Sequence, residues 1–145
     1  MIRRFGFITL LLSLSVLIIP SYAQDNTIFD MVWHAEYFNN PYLAGDPNVS
    51  RFDERIGFDW GADAPVEGVP ADNFSVRWNS LETFSEAGVY RFSASADDGV
   101  RVTIDGTVII DDFTATNAFT VRTADVNITP GTREIVVEYV EFTGN

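Results

Sequence analysis

The chain contains no cysteine and no lysine, and only one histidine, His34. Without cysteine there can be no disulfide, no thiolate metal site and no lipid-modified cysteine, so core burial, with a metal if one binds, must hold the fold. A lone imidazole, with neither a cysteine nor a second histidine, makes no zinc site and supports no Ser-His-Asp set. It reads as an ordinary strand residue. No glycine-rich phosphate loop occurs either, and no run in the chain after residue 23 has helical period.

Long apolar runs are also scarce. The one candidate, residues 5–19, follows Arg3 and Arg4 and precedes Ser21-Tyr22-Ala23, a small-x-small cleavage pattern before Gln24. It falls short of the roughly 20 residues a spanning helix needs, and no stop-transfer pattern follows, so it reads as a secretory signal peptide. The expected organisation is a signal peptide over 1–23, a lead-in over 24–31 and one domain over 32–145. Once Arg3 and Arg4 are gone, 7 arginines face 21 acidic residues, a net charge of −14. Nucleic acid and anionic membranes are poor partners for such a chain. A neutral sugar or a divalent cation suits it better, although acidity also serves solubility outside the cell.

What is present is β-pattern. Tyr90, Phe92, Ala94 and Ala96 alternate with Arg91, Ser93 and Ser95, and Val100, Val102 and Ile104 alternate with Arg101, Thr103 and Asp105, as in half-buried strands. Asp105-Gly106 then has the residues of a two-residue type I′ hairpin. Further strands are expected over 32–38, 56–60, 74–79, 119–128 and 133–141, with turns at Asn39-Asn40-Pro41, Gly45-Asp46-Pro47 and Pro130-Gly131. Roughly eight short strands between turn signals argue for an all-β, antiparallel sandwich or barrel. Aromatics, at 14% of the chain, give it bulk enough for a core. Asn-x-Ser/Thr triplets occur at Asn48, Asn73 and Asn127, and motifs this short carry no assignment.

One turn stands apart. Asp97 and Asp98 set two carboxylates side by side, where mutual repulsion works against them unless a cation or donors gather. Asp-Asp-Gly is also ordinary turn chemistry, and a calcium site needs roughly 6–8 oxygen ligands, of which two carboxylates are a start. Spacing alone leaves both readings open. Glycoside hydrolysis, by contrast, needs two carboxylates across a cleft, which neighbours in one turn do not by themselves provide. The domain is not expected to be an enzyme.

Several segments in order, Trp33-His34-Ala35-Glu36-Tyr37-Phe38-Asn39-Asn40, Arg51-Phe52-Asp53, Trp60-Gly61, Asp72-Asn73-Phe74-Ser75-Val76-Arg77-Trp78, Gly88-Val89-Tyr90-Arg91-Phe92, Asp97-Asp98-Gly99-Val100-Arg101 and Ile104-Asp105-Gly106, resemble the protective-antigen (PA-fourteen) domain. That module is found in anthrax protective antigen, yeast flocculin-type adhesins and bacterial glycosidases. The resemblance implies a β-sandwich, often attached to larger extracellular proteins, which in its adhesin members binds carbohydrate through calcium. It implies that Asp97 and Asp98, joined by a cis peptide, ligate the ion and meet the sugar hydroxyls. A second loop, here residues 140–145, adds an amide and main-chain carbonyls in the family. In this chain Phe142 stands near the place of the amide, and Asn145 is the nearest candidate. The resemblance further implies that the family's last strand lies beyond Asn145. The expected function is a secreted, adhesin-like carbohydrate-binding module assisted by calcium, with glycan or polysaccharide as partner; the alternative is a structural or spacer module of a larger extracellular protein.

Overall fold

A computed structural model describes the backbone of residues 6–10 and 19–20, and residues 32–113 and 120–143 with their side chains. Ten strands follow in order: β1 Gly6–Leu10, β2 Ile19–Pro20, β3 Trp33–Phe38, β4 Val49–Asp53, β5 Phe74–Phe84, β6 Gly88–Ala94, β7 Gly99–Ile104, β8 Thr107–Asp112, β9 Arg122–Ile128 and β10 Gly131–Glu141. They form two sheets. One has six strands in the order β4-β3-β5-β10-β7-β8, all antiparallel neighbours, and the other has four in the order β2-β1-β6-β9. The fold is the all-β sandwich that the strand count and turn spacing predict.

The six-stranded sheet is built on β5 and β10, which pair along eleven residues from Gly131↔Phe84 to Glu141↔Phe74. Alternation sends Phe74, Val76 and Trp78 of β5 and Ile135, Val137 and Tyr139 of β10 into the core. There they join Trp33, Ala35 and Tyr37 of β3, Val100, Val102 and Ile104 of β7, and Phe92 and Ala94 of β6. The opposite face of the same sheet is charged. Glu36, Arg77, Glu138, Arg101 and Asp111 stand in register on β3, β5, β10, β7 and β8, with nitrogen–oxygen distances of 3.6, 3.0, 3.5 and 3.2 Å along the row. Signs alternate at each step, so every cross-strand pair in the row is attractive.

Arg51-Phe52-Asp53, one of the segments that carry the resemblance, lies in strand β4, and its aspartate explains the motif. Asp53 is buried and accepts from the Tyr37 hydroxyl (2.7 Å), the Trp78 indole N–H (2.9 Å) and Arg51 Nε (2.7 Å). An arginine and two core aromatics thus neutralise and solvate a carboxylate inside the sandwich.

Three expected elements are corrected. Residues 56–60 form no strand; their alternation comes from rings turned into the core, where Phe58 stacks on Trp60 at 4.8 Å and on Trp78 at 5.9 Å. The strand beginning at Phe74 runs on to Phe84 instead of ending near residue 79, because β10 supplies a partner over the whole length. The strand expected from residue 119 begins at Arg122, where pairing with Ala94 starts. Ser93 and Ser95, expected on a solvated face, are both buried, and among the described residues the Ser95 hydroxyl has no hydrogen-bond partner. At the β7–β8 hairpin the expectation holds: Asp105 and Gly106 take φ of 48° and 75°, the positive pair a type I′ turn requires.

Candidate functional site

The β6–β7 turn places Asp97 and Asp98 at one end of the sandwich, both partly exposed. The peptide bond between them is cis, as the resemblance implies. Gly99 follows because nothing larger fits. A Cβ there would stand 2.8 Å from Val140 Cγ1, 3.0 Å from the Phe113 carbonyl carbon and 3.1 Å from the Asp112 carbonyl oxygen. The turn is therefore clamped between the end of β8 and the end of β10. Its glycine serves close approach, not a positive φ.

The second loop does meet the first. Phe142 N–H donates to Asp98 Oδ2 at 2.7 Å, and Asn73 N–H donates to the Phe142 carbonyl oxygen at 3.0 Å. The buried Tyr139, one turn of the pleat earlier on β10, reaches the same place: its hydroxyl donates to the Asp97 carbonyl oxygen and lies against Glu141 Oε2. One hydroxyl has one proton for these two acceptors, so a protonated Glu141 satisfies the trio where an ionised one does not. The Tyr139 ring is held by Trp60 at 5.7 Å and Phe74 at 5.8 Å. Asn145, and residues 114–117 of the neighbouring loop, lie outside the described residues.

The electrostatics of this end are one-sided. The Asp97 carboxyl is pushed above its ordinary value by desolvation and then by the charge of Asp98. Glu141 is raised to about 7, first by burial and then by the charges of Asp98, Asp97 and Asp72, with the Tyr139 hydroxyl pulling the other way. Tyr139 itself is pushed up by burial and by Glu141. The charges that raise Glu141 and Asp97 are all carboxylates. Two adjacent carboxylates under such repulsion, beside main-chain carbonyls, have the oxygen chemistry that a hard divalent cation takes. Among the described residues no group of three or more His, Cys, Asp and Glu side chains is arranged around a common ion position. Asp97 and Asp98 would hold the ion, with water, main-chain or ligand oxygens making up the rest.

Glu141, Tyr139 and Asp72 were not among the site residues expected from the sequence, which were Asp97, Asp98 and Asn145. A signal for Glu141 existed, because it sits two residues beyond Tyr139 and just after the Val140 that pairs with Gly99. Finding it required the β7–β10 register.

The fold and its acidic end define a β-sandwich module with the oxygen donors for a ligand or ion gathered at one edge. The PA14 domain matches residues 32–140, and the chain belongs to that family. It is 33% identical over 107 residues to "Anti-sigma-I factor RsgI3" of Acetivibrio thermocellus, covering 73% of this chain and 16% of that protein. Among solved structures it is similar to an "anti-sigma factor domain-containing protein", with a TM-score of 0.69, 28% identity, and coverage of 86% of this chain and 43% of that one. It also matches the PA14 domain of the antifreeze protein MpAFP, with a TM-score of 0.55 and 18% identity, over 84% of this chain and 82% of that one. The chain thus spans about a sixth of the length of the curated relative it matches.

Proposed function

We propose that this chain is a non-catalytic, extracellular binding module that holds calcium on Asp97 and Asp98 and uses the ion to bind the hydroxyls of a glycan. The observation that carries the reading is the mutual repulsion of carboxylates on a turn clamped by Gly99 and tied to the end of β10 through Phe142. A cation there relieves repulsion, and vicinal sugar hydroxyls replace its water ligands without desolvating a full charge. Asn145 is proposed as an amide ligand from the second loop. Export is proposed through the residue 1–23 leader, on its basic start at Arg3 and Arg4, its short apolar run and the small-x-small pattern Ser21-Tyr22-Ala23.

A second reading is favoured by one observation: among the described residues no third acidic or imidazole side chain joins the two aspartates around a common ion position. In it the module is a structural spacer, or the binding part of a longer signalling protein, as the likeness to proteins named anti-sigma factors suggests. Binding to a glycan array with and without calcium, for the wild type and for Asp97→Ala, separates the two. Calcium-dependent retention lost in the variant supports the binding module. A calcium-dependent gain in melting temperature with no glycan retained supports the spacer.

A further inference from the structure

The four-stranded sheet is held together in an unusual way. Among the described residues, its strands from the 32–143 region are β6 and β9, paired from Gly88↔Ile128 to Ala94↔Arg122. The other edge of β6 carries residues from the chain's start: β1 pairs with it in parallel over Gly6↔Tyr90, Phe7↔Arg91, Ile8↔Phe92, Thr9↔Ser93 and Leu10↔Ala94. Beyond β1, among the described residues, lies β2, antiparallel over Gly6↔Pro20 and Phe7↔Ile19. Pro20 has no N–H to offer a further strand.

Without β1, β6 and β9 would face the six-stranded sheet as a two-stranded ribbon, which is marginal in water. The free edge of β6 would then present unpaired N–H and C=O groups next to buried core, since Phe92, Ser93 and Ala94 are all buried. An edge of that kind is a template for an extended apolar segment. Gly-Phe-Ile-Thr-Leu is such a segment, and the 77 residues between Leu10 and Gly88 leave ample chain for the crossover that a parallel pair demands.

We infer that the edge of β6 over Gly88–Ala94 is a strand-acceptor site, and that residues Gly6–Leu10 of the leader occupy it for as long as the leader stays attached. The apolar leader is then a temporary sheet strand of its own passenger domain. Cleavage after Ala23 takes this strand from the edge.

The chain's lack of cysteine gives a direct test, because any disulfide in a double-cysteine variant is the engineered one. The full 145-residue chain, made without export so that the leader is retained, carries Thr9→Cys with Ser93→Cys, a pair in register. A control chain carries Thr9→Cys with Val89→Cys, displaced by four residues, or about 13 Å along a strand, beyond disulfide reach. Mild oxidation is expected to cross-link the first pair within one molecule and to leave the second reduced. Absence of the first cross-link, or equal cross-linking of both, overturns the proposal. Hydrogen exchange gives a second measurement that needs no cysteine. Successive N–H groups alternate between the two edges of a strand, so Ile8→Pro together with Thr9→Pro removes a donor from each edge of β1. The β6 amides that do not donate to β9 are then expected to exchange on the order of tenfold faster or more, with β5 and β10 unchanged. Unaltered exchange in β6 also overturns the proposal.

Discussion

Phe142 N–H donates to Asp98 Oδ2 at 2.7 Å, so the end of the last described strand is fastened to the acidic turn between β6 and β7. Removing the acceptor leaves that N–H without its partner. Asp98→Ala is therefore expected to cost about 1–3 kcal/mol in urea unfolding, and to abolish any rise in melting temperature that calcium gives the wild type. A variant with unchanged stability and an undiminished calcium effect would put the ion elsewhere.

Calcium binding should grow with pH through the same region. Glu141 is raised from 4.5 to about 7, so the folded state keeps a proton that the unfolded chain releases earlier. Its contribution to stability is complete below about pH 4.5 and is lost as pH rises through about 7, the sign set by the folded state binding more protons in that window. In metal-free buffer the melting temperature is expected to fall between pH 5 and pH 8, and Glu141→Gln is expected to flatten that fall. Calcium titrations at pH 5.5 and pH 8 should show tighter binding at the higher pH, where fewer of these carboxyls hold a proton.

Buried Asp53 offers a prediction independent of any ligand. Asp53→Ala would strip Arg51, Tyr37 and Trp78 of a shared acceptor within the sandwich. Breaking a buried charged network by removing one partner costs about 3–5 kcal/mol. Guanidinium unfolding monitored by tryptophan fluorescence reads this directly, since Trp78 is one of the donors.

At Gly99 the constraint is space. The nearest contact of an added Cβ, 2.8 Å from Val140 Cγ1, cannot be accommodated without moving β7 from β10 or the Val140 side chain from its buried site. Gly99→Ala is expected to lower stability by about 1–3 kcal/mol, as overpacking does. Gly106→Ala, with open space around it but φ of 75°, should cost about 1 kcal/mol through backbone strain alone.

Much of this was legible in the sequence, for reasons that can be named. Alternation over Tyr90 to Ala96 and Val100 to Ile104 located β6 and β7, and the Asp105-Gly106 dipeptide located their neighbouring hairpin, because both signals act within a few residues. Ile56, Phe58 and Trp60 alternate just as well and form no strand. Period two reports which side chains face apolar surroundings, and it is silent on whether a partner strand lies beside the backbone. The extension of β5 to Phe84 likewise depended on β10, some fifty residues later. At the site, Asp97 and Asp98 were visible as adjacent letters. Glu141, Tyr139 and Asp72 joined them only through strand register and chain return, which no local pattern encodes.

The pairing of β5 with β10 bears on how the molecule is made. β5 has β3 on one side and β10 on the other, and β10 is also the strand that joins β7 and β8 to the rest of the sheet. A ribosome delivers the chain from its N-terminus, so β3, β4, β5, β7 and β8 all emerge before the strand that unites them. Until residues 131–141 are made, β4-β3-β5 and β7-β8 have no strand to join them, so closure of the six-stranded sheet waits for the last described strand.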